Sequence, residues 1–308
     1  MRKLIIGIAI VAILTGLSLS QAINLGHNGM NTKTGTGNVQ FELGNPLPQI
    51  NDTVKIYKTK NPIVTVEHVK EIGNIFGFAD SIPGEANPGT IGMVNGEKHL
   101  LVYNKSGAVW YAIPSKMHPV VDTQPNLPDE ETAKKLAADF LAAKGFLPQD
   151  AKLNDVVADK QITADKGTDK ILQSFNVTLQ VRYQREINGM PVVGPGSKLK
   201  VFIGNNNEVV GLFKVWRDIE PYPEIHIKTP EQAYSDLVAG NDIVQMRIGG
   251  DKVIIKDAAL GYWMEPADQE QTNVLPVYIF KGDIIDSNLG YLGQYTGYVY
   301  ATEGGKLS

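Results

Sequence analysis

The chain has 308 residues, 43% hydrophobic and 20% charged, with 29 Lys and Arg against 33 Asp and Glu. A formal charge of −4 without any run of four basic residues excludes a nucleic-acid partner and strong adhesion of the folded part to anionic lipid. The absence of cysteine excludes a disulfide framework, thiolate metal sites and a cysteine-linked lipid, so stability must come from core area alone.

Residues 1–22 read as a signal peptide or an N-terminal anchor. Arg2 and Lys3 precede an apolar stretch from Leu4 to Leu19, and Ser20-Gln21-Ala22 offers small residues where a signal peptidase reads. The stretch is shorter than the ~20 residues that comfortably span a bilayer. A secreted or cell-surface protein is therefore expected, touching the membrane through residues 4–19 if the leader is retained. Residues 23–52, rich in Gly, Asn, Thr and Pro, read as a flexible linker in which Val39–Leu43 alternates and could add a strand to a sheet edge.

An N-terminal α+β unit is expected over 53–122. Val54–Tyr57 reads as a strand. Thr65 is placed as an N-cap, and Val66, Val69, Ile72 and Phe76 recur at helical spacing before Gly77. Two strands, 100–103 and 108–113, flank the turn Asn104-Lys105-Ser106-Gly107, and the prolines between 114 and 128 suggest a linker.

The next unit, 123–226, opens on a helix with an acidic first turn, Asp129-Glu130-Glu131. Its apolar stripe is Ala133, Leu136, Ala137, Phe140 and Leu141, and Gly145 stops it. The clearest pattern of the chain follows. Phe175, Val177, Leu179, Val181 and Tyr183 alternate with polar residues, and the alternation resumes at Leu199, Val201, Ile203 and again at Val209, Phe213, Val215. Side chains on a strand point to opposite faces in turn, so this spacing predicts an antiparallel meander with one buried face for the helix to cover. A third unit, 227–308, repeats the order: the capping box Thr229–Gln232, a short helix, then strands at 252–255, 259–263, 275–280 and 297–301. The fold class expected is α+β, as tandem units each of one helix packed on an antiparallel sheet.

Catalytic patterns are weak. His27, His68, His99, His118 and His226 share no ligand spacing, so no metal and no cofactor are expected. Asp129, Glu130 and Glu131 are explained by the helix start, and 165–169 lacks the alternating ligands of a calcium loop. No phosphate loop and no Gly-x-Ser-x-Gly elbow occur. Arg182 and Gln184, with Arg185, Trp216 and Arg217, form a candidate partner-binding group. Tyr291, Tyr295 and Tyr298 are candidates for stacking on sugar rings, with strand packing as the alternative. Asn51, Asn104 and Asn176 begin glycosylation triplets whose use the sequence does not decide.

The stretch Tyr183-Gln184-Arg185-Glu186-Ile187-Asn188-Gly189-Met190-Pro191-Val192-Val193-Gly194 resembles the strand and Asn-Gly, Pro-Val turn of PepSY-type modules from the propeptides of thermolysin-like proteases. Residues 199–203, 205–211 and Leu275–Ile279 continue the likeness, which spans roughly 126–304. Paired units behind an export segment are also similar to cell-surface regulators of a Gram-positive wall sensor kinase. The resemblance implies PepSY-like units over 123–226 and 227–308 that act by binding and have no catalytic residues. No His-Glu-x-x-His occurs, so no thermolysin-like protease domain shares the chain. The expected function is that of an exported non-catalytic binding protein, a regulator or inhibitor of a peptidase or envelope sensor. A cell-surface structural or carbohydrate-binding protein is the alternative, and a hydrolase whose site escapes motif reading is a third.

Overall fold

The computed structural model describes residues 3–7, 39–244, 246 and 248–305. Apart from 3–7, the expected leader and the first part of the linker lie outside the described residues.

The fold class differs from the expectation. Among the described residues 48% are in strands and 15% in helices, and the strands join into one large mixed sheet instead of separate helix-on-sheet units. It contains β2 (Gln40–Leu43), β4 (Gly84–Asn87), β5 (Thr90–Asn95), β6 (Lys98–Tyr103), β7 (Val109–Ala112), β8 (Ala151–Asp165) and β9 (Ile171–Ile187), of which β2 pairs with β14 and β8 with β9 off the main path. It continues with β10 (Met190–Val193), β11 (Lys198–Ile203), β12 (Val209–Val215), β14 (Lys252–Trp263), β16 (Pro276–Asp286) and β17 (Gly290–Tyr300). A strand β1 (Lys3–Gly7) lies antiparallel to β8. A smaller sheet holds β13 (Asp218–His226), β3 (Thr53–Lys60) and β15 (Asn273–Val274).

Two pairings account for the correction. β12 pairs with β7, so the 53–122 and 123–226 segments share one sheet. β10 pairs parallel with β14 through Val192–Tyr262 and Val193–Trp263, and this joins the C-terminal strands. Alternation reports which side of a strand is buried. It carries no information about which strand lies alongside.

The helices form where the capping chemistry places them. Thr65 Oγ1 accepts from the His68 amide at 3.1 Å at the start of α1 (Val66–Ile75). Asp129 caps α3 (Glu130–Lys144) through the Thr132 amide at 2.7 Å, and Gly145 ends it at φ 70°, a left-handed conformation that suits glycine. Thr229 and Gln232 close a reciprocal box on α4 (Pro230–Val238). Between the first two lies α2, a single turn from Pro114 to Met117.

α1 and α3 cover one face of the β5–β6–β7–β12–β11–β9 region, with Val69, Ile72, Ala137 and Leu141 against Leu100, Val181, Val201 and Leu212. α4 packs Ala233 and Leu237 against Tyr278, Phe280 and Tyr295 in a second core. Among the described residues the opposite face of the β4–β9 region carries no helix beyond the α2 turn, and that face positions the candidate site.

Candidate functional site

Cross-strand register builds this outer face in rows. With Leu199, Val201 and Ile203 in the core, Lys198, Lys200 and Phe202 of β11 point outward. One row runs Asp155, Arg182, Lys200, Phe213, Trp110, Leu101, Gly92 across β8, β9, β11, β12, β7, β6 and β5. The neighbouring row runs Gln180, Phe202, Gly211, Ala112, His99, Val94. The first row changes from charged to apolar along its length, so the face is charged at one end and mostly oily at the other.

At the oily end lies a cavity of about 470 Å³, floored by Leu101, Trp110, Ala112 and Gly92 and closed on one side by Met117. Trp110 meets Phe202 and Phe213 edge to face, with ring centroids 5.7 and 5.5 Å apart. Ile82 and Val94 on the rim are 90% and 59% exposed. Branched apolar side chains thus stand in solvent around an apolar floor. The polar groups in the cavity are few, chiefly His99, His118, Asn87 and Glu85. Partial burial holds the His118 imidazole below its ordinary value, against the opposing charge of Asp159.

At the polar end stand three cations. Arg182 makes a bidentate pair with Asp155, which lowers the Asp155 carboxyl and raises Arg182. Asp159 accepts from Thr178 at 2.9 Å and Gln180 at 2.7 Å. No side-chain hydrogen bond or ion pair joins Lys198 or Lys200 to another described residue. Burial lowers both amines, and the Lys200 and Arg182 charges lower Lys198 further, while Arg182 lowers Lys200.

Such lysines cost stability, and Lys200→Met should raise the unfolding free energy by about 1 kcal/mol. Urea denaturation at neutral pH measures this. The folded state binds fewer protons than the unfolded one as pH nears the ordinary lysine value, so this residue makes wild-type stability rise there. The variant should lose that part of the rise, and a destabilised variant would show that the amine is already satisfied.

Two walls flank the rows. Residues 114–128 are pinned: the Val121 amide donates to Gln161 Oε1 at 2.8 Å, and Gln161 Nε2 donates to the Val121 carbonyl at 2.7 Å. Gln124 Nε2 likewise donates to the Asn176 carbonyl at 2.8 Å. On the other side Ala267 packs on Val215 and Ala108.

The partner-binding candidates fall into two groups. Arg182 and Gln184 lie on the outer face, as their phase within β9 requires. Arg185 and Trp216 lie on the helix side: Trp216 Nε1 donates to Asp150 at 3.0 Å, and Arg185 stacks 5.3 Å from the indole and pairs with the same carboxylate. Arg217 is buried and donates to the carbonyls of Glu265, Pro266 and Gln269. An outward Trp216 beside Arg182 is therefore not what the fold builds. Register continues through the end of β12, which sends Trp216 to the face of Leu212.

The tyrosines also separate. Tyr295 is 1% exposed, lies edge-on to Phe41 and donates to Asp242 at 2.8 Å, so its ring has no face open to a sugar. Tyr298 packs on Trp263, with centroids 5.5 Å apart, and Tyr291 is exposed. Burial raises the Asp242 carboxyl despite its bonds to Tyr295 and the Tyr298 amide. Among the described residues no group of three or more His, Asp or Glu side chains is placed to hold a metal ion.

Sequence reasoning missed Lys198, Lys200 and Trp110 as members of one site. The polar phase of β11 was visible, but its alignment with Trp110 depends on the β12–β7 pairing.

No family model matches the chain, and no curated protein matches it. Among solved structures it is similar to an uncharacterized protein from Eubacterium rectale, at 11% identity and a TM-score of 0.48, over 88% of this chain and 89% of that one. It is also similar to the Bacillus megaterium YpeB C-terminal domain, at 13% identity and a TM-score of 0.35, over 79% of this chain and 95% of that domain.

Proposed function

We propose that the chain is an exported, non-catalytic binding protein that regulates or inhibits a peptidase or an envelope sensor. The observation that carries this reading is the outer face itself: an apolar cavity with an exposed branched rim, continuous with half-buried lysines that no side-chain hydrogen bond or ion pair joins to another described residue. The resemblance of 183–194 to the PepSY turn points the same way. Open apolar area and half-buried amines whose desolvation outweighs the pull of nearby carboxylates destabilise an isolated protein, and a docked partner would offset both costs.

A photo-crosslinking residue at position 94, on the cavity rim, tests the reading in the native envelope. The expected result is one adduct with a peptidase or a sensor ectodomain. The same residue at position 289, on a 71% exposed leucine in the β16–β17 turn, should give none. Equal labelling from both positions, or none from position 94, would remove the outer face as the docking surface.

A further inference from the structure

Resting on that docking reading, we infer that the groove seats an extended peptide segment carrying a carboxylate side chain about four residues from a bulky apolar one. The apolar side chain fills the cavity beside Trp110 and Leu101. The carboxylate lies between Lys198, Lys200 and Arg182.

The spacing comes from the row. Lys200 on β11 and Leu101 on β6 are separated by three strand steps, through Phe213 and Trp110. At about 4.8 Å per step this is roughly 14 Å, the rise of about four extended residues. The charge comes from the lysines. Three cations face two carboxylates, Asp155 and Asp159, in a chain whose overall charge is −4. One added carboxylate satisfies amines that have no side-chain hydrogen-bond acceptor among the described residues.

A peptide fits better than a fatty acid of equal length. His99, His118 and Asn87 line the cavity with groups that need hydrogen-bonding partners. A hydrocarbon chain laid over them would desolvate these groups without replacement, whereas backbone amides and carbonyls would pair with them. The neutral form of His118 offers both a donor and an acceptor for this purpose.

The test uses the full chain with indole nitrogens labelled, the Trp110 signal being assigned from Trp110→Phe. A capped pentapeptide with aspartate first and phenylalanine last should shift the Trp110 signal, and more weakly at high salt. Asparagine in place of aspartate, or Lys200→Glu in the protein, should each weaken binding about ten-fold. Lys256→Glu, outside the groove, should leave binding unchanged, and a single cooperative urea transition shows that each variant folds. Decanoate is the competing probe. If it shifts Trp110 and the peptide does not, an acyl carboxylate is the ligand and the peptide inference falls. If neither binds while position 94 still crosslinks a protein, the docking reading stands and this recognition chemistry is wrong. If the peptide binds equally with asparagine, the lysines have no part in recognition and the inference fails.

Discussion

Replacing Arg217 with methionine should lower the unfolding free energy by about 4 kcal/mol, the largest single effect expected of a polar substitution here. The guanidinium is 2% exposed and donates to the carbonyls of Glu265, Pro266 and Gln269 at 2.7, 2.7 and 2.6 Å. Its own carbonyl accepts from Arg185 Nη1 at 2.7 Å, so Arg217 is the middle of a chain running from Asp150 to the 264–270 loop. Methionine fills a similar volume but withdraws the guanidinium donors from all three carbonyls, of which Pro266 keeps only the long bond from the Gln269 amide at 3.4 Å. Burial alone would favour losing the charge, and it pulls the Arg217 pKa down against the fields of Glu265 and Asp268. The carbonyls outweigh that gain, because each buried acceptor left unpaired costs about 1–3 kcal/mol. Urea unfolding checks the value. Arg217→Lys should recover only part of the loss, since one ammonium cannot match the fork that meets three oxygens. A variant as stable as wild type would show that this loop does not need its clamp.

Gly282→Ala should destabilise by about 3 kcal/mol for a purely steric reason. β14 carries a bulge between Ile255 and Asp257, and Gly282 of β16 lies opposite Ile255. A Cβ at Gly282 would sit 2.2 Å from the Ile254 carbonyl oxygen and 3.0 Å from the Ile255 Cα, both backbone atoms with no rotamer to yield. Gly167→Ala is the control. Its new methyl would meet nothing nearer than Asp165 Oδ1 at 3.5 Å, and its effect should stay within about 0.5 kcal/mol. Thermal unfolding of the two variants side by side separates a local clash from a general penalty on removing glycine.

The helices were readable because their signals are local. Thr65, Asp129, Thr229 and Gly145 act within one turn, and each stands in the structure where its chemistry put it. The strands β9 and β11 were readable for a similar reason, since Val181, Tyr183, Leu199, Val201 and Ile203 lie in the core as their alternation requires. β12, by contrast, is buried on both faces and its phase was read the wrong way: Leu212 meets the helices and Phe213 lies on the outer face. β8 was missed because Ala151–Asp165 mixes charge and apolar groups on both faces. Its long pairing with β9 holds it, and pairing leaves no periodic mark. β14 was read as two strands, since the bulge at Lys256 breaks the alternation without ending the strand. The site was the least legible part. Arg182 and Gln184 could be placed on the outer face from their phase within one strand. Trp110 lies 72 positions earlier and reaches them through the β11–β12–β7 register, which no local pattern encodes.

That register has a consequence for dissection of the molecule. The polar half of the groove is supplied by sequence after the 114–128 segment, and Trp110, Leu101 and Gly92 come from before it. A fragment ending near 122 would carry half a cradle with its β7 edge bare, and one starting near 123 would present lysines facing an empty margin. Neither piece alone could hold the ligand. The two would regain it only by re-forming the β7–β12 seam, so mixing the pieces would be an assay of sheet repair as much as of recognition.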